Sequence, residues 1–222
     1  MALDSACAAI GVGVNGEQGD LFWRHFELVV ETNRRFNLTR ITEPADAAVK
    51  HYADALTLLA MPLSSDAGIR LVVDVGTGAG FPAFPLAVMK PEWRITAMDS
   101  TGKKAAFVEE TAARLGISNL TGQHHRAGEK MAEPARYDLV LYRAVAQLSE
   151  CLRTAKDLVR PGGYVVGYQS DPIPKAELRE ARTAAKRGGF HPHDGYAFVL
   201  PLGGEPIPRR LVTFRKVDPR KG

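Results

Sequence analysis

The sequence predicts a doubly wound α/β fold with a seven-stranded, mostly parallel sheet and an N-terminal helical extension. Short apolar runs alternate with segments of helical periodicity from about residue 69 onward, which is typical of a parallel sheet covered by helices. A glycine-rich turn directly follows the first apolar run. The last two runs, 196–200 and 210–217, have no helix between them, which indicates an antiparallel hairpin at the end of the sheet.

The strands are expected where short apolar runs end in Gly, Asp or Pro, since such runs are typical of buried parallel strands. In chain order they are 69–75, 93–98, 120–124, 137–142, 164–168, 196–200 and 210–217. The helices are expected where apolar residues recur every three or four positions. In chain order they are 18–36, 43–61, 82–89, 102–115, 145–159 and 175–187. The last three are expected to end at Gly116, at Pro161-Gly162-Gly163 and at Gly188, respectively.

The chain is expected to have three parts. Residues 1–16 are rich in Ala and Gly, and disorder is one expectation for them. Residues 17–68 form the helical extension, in which Thr42 is expected to cap the second helix and 62–68 form a connector. Residues 69–222 form the α/β domain.

The composition is that of a globular protein, since 45% of the 222 residues are hydrophobic and 24% are charged. This excludes a wholly disordered chain, and the net charge of +4 permits a polyanionic partner. Cys7 and Cys151 are too few for a disulfide framework. No apolar run reaches the roughly 18 residues of a membrane span, and residues 1–19 lack a signal-peptide pattern. We expect a cytoplasmic, monomeric protein without a membrane partner.

The central motif is a glycine-rich loop, Asp74-Val75-Gly76-Thr77-Gly78-Ala79-Gly80, between a strand and a helix. Glycines are needed where a chain turns sharply and a ligand approaches the backbone. Free N–H groups at the start of the next helix favour a carboxylate or a phosphate. Asp99 ends the second strand, at the spacing of about 20 residues where a carboxylate can accept hydrogen bonds from both hydroxyls of a ribose.

The glycine spacing favours one class of ligand. Phe81 stands where a dinucleotide site usually has its third glycine, and Asp74 precedes the first glycine by two places. With the terminal hairpin, these features resemble the class I S-adenosylmethionine-dependent methyltransferases. Two alternatives remain open, namely a glycine turn without a ligand and a nicotinamide-dependent oxidoreductase.

Further blocks of the sequence match the patterns of a single family. They are Phe36-Asn37-Leu38-Thr39-Arg40-Ile41, Lys50-His51-Tyr52-Ala53-Asp54-Ala55, Asp74 to Leu86, Asp99-Ser100-Thr101-Gly102-Lys103-Lys104, Arg143-Ala144 and Arg209-Arg210-Leu211-Val212. These blocks resemble those of the bacterial ribosomal RNA small-subunit methyltransferase G family, also called glucose-inhibited division protein B. The resemblance extends over residues 20–217.

This resemblance implies a class I, Rossmann-like methyltransferase that uses S-adenosylmethionine to methylate N7 of a specific guanine in 16S ribosomal RNA, free or within the 30S subunit. Together with the glycine loop, it assigns to the cofactor Asp74, Gly76, Thr77, Gly78, Gly80, Phe81, Asp99, Ser100, Thr101, Arg126, Ala127, Gly128 and Arg143. Arg143, which directly follows the fourth strand, is also the expected catalytic residue. The residues expected to bind RNA are Arg40, Lys50, Lys103, Lys104, Arg209 and Arg210.

The implied reaction requires little reactive chemistry from the protein. Guanine N7 carries an in-plane lone pair and no proton, so its attack on a sulfonium methyl needs no general base. Holding N7, the methyl carbon and the sulfur in line is most of the task. No metal is expected, because His124-His125 and His191-Pro192-His193 have no Cys or acidic ligand at useful spacing.

Four segments depart from the family's usual pattern. They are Phe81-Pro82-Ala83-Phe84-Pro85, Gly128, Tyr142 and Val145 on either side of Arg143-Ala144, and Gly167-Tyr168-Gln169-Ser170. A methyltransferase of another RNA or of a small molecule therefore stays open, as does a non-catalytic paralogue that binds the cofactor or RNA. For Arg143, the alternative to a functional role is a structural ion pair with Asp54 or Asp74. His51 and Asp54 are expected to form a hydrogen-bonded pair.

Overall fold

The computed structural model describes residues 2–130, 134–202 and 205–218. Within these residues the strands are β1 Leu71–Val75, β2 Arg94–Asp99, β3 Leu120–His124, β4 Tyr137–Arg143, β5 Val159–Ser170, β6 Phe190–Leu202 and β7 Glu205–Lys216. They form a 7-stranded sheet in the order β3-β2-β1-β4-β5-β7-β6. The first five strands are parallel, and β7 lies antiparallel between β5 and β6. The predicted fold class is confirmed, including the terminal hairpin.

Helices cover both faces of the sheet and form the N-terminal extension. In the described part of the chain they are α1 Ala2–Ala9, α2 Gly16–Asn33, α3 Pro44–Ala47, α4 Asp54–Leu56, α5 Ala83–Met89, α6 Gly102–Leu115, α7 Leu148–Ala155 and α8 Lys175–Gly188. A π-helical segment, Ala48–Ala53, joins α3 to α4. The 3₁₀ turns Thr57–Ala60 and Pro62–Ser65 then lead to the sheet.

The second helix of the extension differs from the expectation of one continuous helix over 43–61. It is divided by the π-helical segment, and Glu43 rather than Thr42 precedes it. No side chain caps this helix start. Pro44 occupies its first turn, where a residue without an N–H leaves one donor fewer for a cap to satisfy.

The boundaries between α7 and β5 also differ from the expected ones. Helix α7 begins only at Leu148, and β5 begins at Val159 and continues through Pro161-Gly162-Gly163. The sequence predicted that this turn would separate the helix from the strand. The pairing register between β4 and β5 shifts at this point, so the turn is accommodated as an irregularity within the strand.

The N-terminus is helical where disorder was one expectation. Helix α1 buries Ala6 and Cys7 and packs on the π-helical segment and on β6. These small side chains allow a close approach between the helix and its neighbours. Helix α2 then begins with a capping box, in which Asn15 and Gln18 each accept a hydrogen bond from the other's backbone N–H at 2.9 Å.

A buried histidine of α2 attaches the extension to the glycine loop. The His25 ring stacks on Phe84 of α5 at 3.9 Å between ring centroids. Its Nδ1 lies 2.7 Å from the hydroxyl of Tyr52, and its Nε2 lies 3.0 Å from the carbonyl oxygen of Ala79. Burial lowers the pKa of His25 to about 3. The ring is therefore neutral, and because a carbonyl only accepts, Nε2–H donates to Ala79 and Nδ1 accepts from Tyr52.

A second histidine of the extension packs on the same loop. The His51 ring stacks on Phe81 at 4.5 Å, and its Nε2 lies 2.8 Å from the hydroxyl of Thr39. Burial, and then the nearby charge of Arg143, lower the pKa of His51 to about 3. The predicted pair between His51 and Asp54 is not the contact that forms, because His51 bonds to Thr39 instead.

These two histidines predict that stability is lost in mild acid. Their pKa values of about 3 in the folded chain lie below the ordinary value of 6.5. The unfolded chain therefore binds protons first, and the free energy of unfolding falls as the pH drops below about 6.5. Buried Asp74 has the opposite effect on the pH dependence, because burial raises the pKa of its carboxyl to about 7. Its contribution to the free energy of unfolding is present at low pH and is lost as the pH rises toward 7.

Urea unfolding between pH 7 and pH 5 separates these contributions. In the wild type, each histidine should make the free energy of unfolding rise by roughly 1 kcal/mol per pH unit over this range. The variant His25→Gln/His51→Gln should lack this rise. Because the slope is compared, a lower absolute stability of the variant does not matter. The matched control is His191→Gln, at an exposed position of β6. Equal slopes in the wild type and the double variant would contradict the buried, neutral state of the two rings.

Candidate functional site

The candidate site lies where the parallel strands end. Strand β1 ends at Val75 and leads into the glycine loop, β2 ends at Asp99, and β4 ends at Arg143. The carboxyl ends of parallel strands meet at one edge of the sheet, and ligands of such sheets bind at this edge. We call it the carboxyl edge.

The glycine loop is held in a conformation that other residues rarely adopt. The φ angles of Gly76, Gly78 and Gly80 are 73°, 58° and 92°. The N–H of Gly76 donates to the carbonyl of Met98 in β2 at 2.8 Å. A Cβ atom on Gly76 would lie 2.6 Å from Cγ2 of Val145, whereas one on Gly80 would face Nε2 of His25 at 3.4 Å. The loop therefore lies between the extension and the segment that follows β4.

Asp99 binds the loop from the neighbouring strand. Its side chain is buried, Oδ2 accepts a hydrogen bond from the N–H of Gly78 at 3.0 Å, and Oδ1 accepts one from the N–H of Thr101 at 2.8 Å. A carboxylate has about four acceptor positions, so further donors can still bind. The arrangement supports the sequence argument that Asp99 can accept ribose hydroxyls.

A cavity of about 160 Å³ opens between the loop and α7. Four of its lining residues were predicted cofactor residues, namely Gly76, Ser100, Arg126 and Ala127. The others were not assigned to the cofactor from the sequence, namely Val75, His125, Tyr142, Val145, Ala146, Glu150, Cys151 and Thr154. Most of these follow β4 or lie in α7, where no local motif marks them. The cavity is smaller than the roughly 300–1,000 Å³ of typical ligand pockets.

The polar groups in the cavity are poised for binding rather than for proton transfer or nucleophilic attack. Burial raises the pKa of Cys151 to about 12, so it stays a thiol. Burial also raises the pKa of Tyr142, whose hydroxyl lies 2.7 Å from Oγ1 of Thr154. Nε2 of His125 is buried without a hydrogen-bond partner in the described residues. That atom is free to bind a polar group of a ligand.

Asp74 lies beneath the loop and is fully buried. Its Oδ2 accepts a hydrogen bond from the N–H of Ala83 at 3.3 Å. Within the described part of the chain, Oδ1 of Asp74 and Oγ1 of Thr77 have no partner in full hydrogen-bond geometry. Burial raises the pKa of the Asp74 carboxyl, but the Thr77 hydroxyl still lies close enough to lower that pKa in part. The two side chains therefore partly satisfy each other, and a polar ligand can add to this pair.

Arg143 forms the structural ion pair that the sequence left as an alternative. Its Nε donates to Oδ2 of Asp54 at 2.8 Å, and its Nη2 donates to the carbonyl of Lys50 at 2.5 Å. Oδ1 of Asp54 pairs with Nε of Arg209 in β7 at 3.0 Å. The carboxylate of Asp54 is thus used by two guanidinium groups, which explains why it does not bind His51.

The residues expected to bind RNA fall into two groups. Arg40 and Lys103 are exposed, and Lys104 is partly exposed. The other three are held in ion pairs, between Lys50 and Asp46 at 2.6 Å, between Arg209 and Asp54 at 3.0 Å, and between Arg210 and Asp171 at 2.9 Å. These three cations are already partly neutralised within the protein.

The remaining predicted cofactor residues lie around the cavity without lining it. Phe81 is buried against the extension, and Gly80 also faces it. Gly128 borders a larger groove beside the cavity. Among the described residues, no group of three His, Cys, Asp or Glu side chains is arranged to hold a metal ion. The same residues include no helix that is long and apolar enough to span a membrane.

The close approach of Val145 to the loop predicts unequal effects of two similar substitutions. Gly76→Ala and Gly78→Ala both place an alanine at positive φ, which costs about 1–2 kcal/mol. Only the new Cβ at position 76 meets a neighbour, at 2.6 Å, whereas position 78 has no atom within 4 Å. Gly76→Ala should therefore lower the urea midpoint further, and Val145→Ala in the same chain should recover the difference. Equal losses in the two single variants would argue against the contact.

Comparison with known proteins places this site in a family. Residues 18–194 match the family described as rRNA small subunit methyltransferase G. The chain is 42% identical over 186 residues to the ribosomal RNA small subunit methyltransferase G of Solibacter usitatus, which covers 83% of this chain and 86% of that protein. It is 40% identical over 201 residues to the protein of the same name from Deinococcus radiodurans, which covers 89% of this chain and 78% of that protein.

A solved structure shows the same fold at low sequence identity. The SAM-dependent O-methyltransferase of Thermotoga maritima aligns with a TM-score of 0.53 and 15% identity over 85% of this chain and 71% of that chain. At this identity the likeness concerns the fold alone. The sequence match, in contrast, spans the glycine loop, Asp99 and Arg143 and reaches into β6. The chain therefore belongs to the rRNA small subunit methyltransferase G family.

Proposed function

We propose that this chain transfers the methyl group of S-adenosylmethionine to N7 of a guanine in 16S ribosomal RNA. The observation that carries the proposal is the carboxyl edge of the sheet, where the glycine loop, Asp99 and the cavity meet in a member of this family. The relatives are named as ribosomal RNA small subunit methyltransferases, which supports this class of substrate. The choice of guanine N7 rests on the resemblance of the sequence blocks.

The residues of the carboxyl edge suit the parts of S-adenosylmethionine. Asp99 would accept hydrogen bonds from the ribose hydroxyls, since its carboxylate lies at the end of β2. Ser100, Arg126 and Ala127, which line the far side of the cavity, would contact the adenine. His125 would add a hydrogen bond through its unpartnered Nε2.

The methionine part would lie against the glycine loop. Backbone N–H groups of the loop favour its carboxylate, and the carboxyl of Asp74, beside Thr77, offers an acceptor for its ammonium group. Gly76, Thr77, Gly78 and Gly80 would shape this part of the site, with Phe81 and Thr101 at its borders, whereas Gly128 would lie beside Ala127 at the adenine. The exposed side chain of Val145 stands over Gly76, so we expect it to move aside when the cofactor binds.

The proposed reaction requires the protein to position the reacting atoms and does not require a general base. When bound, S-adenosylmethionine supplies an electrophilic methyl group on a positively charged sulfur. The N7–C bond forms from the guanine lone pair as the C–S bond breaks, and the positive charge passes to the guanine ring. No proton is released at N7, so protonated Cys151 and Tyr142 at the cavity wall are compatible with this reaction. Alignment within about 3–3.5 Å supplies most of the acceleration.

Arg143 would act in this site as a hydrogen-bond donor that its neighbours hold in place. Asp54 and the carbonyl of Lys50 occupy Nε and Nη2 of its guanidinium group, while Nη1 forms no hydrogen bond within the described part of the chain. That nitrogen can donate to the cofactor or to the guanine. We propose that Nη1 of Arg143 is this donor, and that the ion pair with Asp54 fixes the orientation of its guanidinium group.

The first test is transfer of radiolabelled methyl from S-adenosylmethionine to 30S subunits and to naked 16S RNA, both from cells that lack this activity. We expect label at one guanine, and chemical cleavage at 7-methylguanosine should map it. A comparison of the two substrates shows which assembly state is recognised. Label in neither RNA, from protein that still binds S-adenosylmethionine, would overturn the proposed substrate and favour a small-molecule acceptor or a non-catalytic role.

A second test concerns Asp99. Asp99→Asn should weaken the binding of S-adenosylmethionine about 10- to 100-fold, because hydrogen bonds to a charged acceptor contribute roughly 1.5–3 kcal/mol. Calorimetric titration measures this change. The matched control is Asp66→Asn, since Oδ1 of Asp66 accepts from the N–H two residues on at 2.8 Å, as Oδ1 of Asp99 does, but in an exposed loop. Unchanged affinity in Asp99→Asn would remove the ribose contact from the proposal.

A further inference from the structure

Helix α8 carries a row of basic side chains that none of the site chemistry explains. Lys175, Arg179, Arg182 and Lys186 follow one another at intervals of four, three and four residues, which places them on one face of the helix. All four side chains are exposed. We call this row the α8 stripe. The opposite side of α8 buries Ala181 and packs on α7.

The cations of the α8 stripe are not neutralised by the protein. None of the four has an ion-pair partner within the described residues. Two of the acidic residues near the stripe are directed elsewhere. Oε1 of Glu177 accepts the N–H of Leu148, and Glu150 pairs with Arg153. Like charges on one helix face repel each other, so a stripe without counterions costs some stability and favours an external anion.

The α8 stripe lies beside the candidate site. Helix α8 begins at Lys175, a few residues after β5 ends at Ser170, so the stripe starts near the carboxyl edge. A groove of about 850 Å³ runs between α7, α8 and the loop after β3, and Arg179 lines it. This groove shares Arg126, Ala127, Glu150 and Thr154 with the small cavity, and the carboxylates of Glu129, Asp157 and Glu180 also line it. Through Arg179, one end of the stripe therefore borders a groove that reaches the cofactor site.

We propose that the α8 stripe docks the phosphodiester backbone of the RNA substrate, at a distance from the target guanine. This inference rests on the proposed function. Along the helix axis the stripe extends about 16 Å, which is long enough to meet several phosphates of one strand. Phosphate contacts fix the position and orientation of a nucleic acid, while the site itself selects the base. The stripe contains no apolar residue that would insert into a lipid surface.

The test compares two triple variants that remove the same charge. Arg179→Ala/Arg182→Ala/Lys186→Ala removes three cations of the stripe. The control, Arg24→Ala/Arg94→Ala/Arg114→Ala, removes three exposed cations of α2, β2 and α6. Each protein is titrated onto 30S subunits and 16S RNA by filter binding with S-adenosylhomocysteine present, over a range of salt concentrations. Methylation kinetics and the affinity for S-adenosylmethionine are measured on the same proteins.

For the stripe variant we expect RNA affinity to fall about tenfold or more, and the slope of log affinity against log salt to decrease by about 2–3. The KM for RNA should rise, while kcat and the affinity for S-adenosylmethionine should stay unchanged. The control variant should stay within about twofold of the wild type in all of these quantities. Unchanged RNA affinity and salt slope in the stripe variant would overturn the inference, whether or not the wild type methylates the RNA. An equal loss in both variants would also overturn it, because net charge would then explain the effect.

The two proposals fail separately in this experiment. If the wild type methylates the RNA and the stripe variant behaves like it, the proposed function stands and the docking surface falls. If the wild type binds RNA through the stripe but transfers no methyl group, the docking surface stands and the proposed reaction falls. Failure of the wild type to bind either RNA would remove both.

Discussion

The buried carboxylate of Asp54 is the interaction on which the carboxyl edge of the sheet depends. It belongs to the N-terminal extension, and its oxygens pair with Arg143 at the end of β4 and with Arg209 in β7. An ion pair of this kind adds little to net stability, but removal of one partner leaves a buried charge without compensation. The value of the contact is geometric, since one anion fixes three distant parts of the chain in one arrangement.

The extension is therefore part of the site and not an appendage of the domain. His25 and His51 approach the glycine loop from the same side, and both are neutral because burial disfavours their charged forms. A neutral imidazole donates from one nitrogen and accepts at the other, so His25 joins the carbonyl of Ala79 to the hydroxyl of Tyr52 with a defined polarity. The opposite side of the loop, at Gly76, faces Val145 and the cavity. The loop can receive a ligand on one side because the other side is held.

Features that depend on local sequence were predictable, and features that depend on the approach of distant segments were not. The seven strands, the glycine loop and the position of Asp99 follow from hydrophobic period, turn residues and spacing. The bulge at Pro161-Gly162-Gly163 was not predicted. A Pro-Gly-Gly segment can either end a helix or form an irregularity within a strand, and the local sequence does not distinguish the two. The contacts of His25 with Ala79 and of Val145 with Gly76 were not predicted. A histidine in an amphipathic helix or a valine in a loop carries no local sign of its tertiary partner. The ion-pair partner of Arg143, which the sequence left open between Asp54 and Asp74, became known only from the position of Asp54.

The distribution of partners divides the basic residues near the carboxyl edge into a paired and an unpaired group. Arg143, Arg209 and Arg210 are paired with carboxylates, so their charges organise the protein and offer little net attraction to a polyanion. Arg40, Lys103 and the α8 stripe have no such partners in the described residues, so their charges are available to an external anion. Long-range attraction and docking depend on uncompensated charge, whereas orientation at the reacting atoms depends on rigid, paired groups. An enzyme that places one base of a large RNA at a small cavity needs both kinds. The sequence alone could not separate them, because an arginine in an ion pair and a free arginine look the same until their neighbours are known.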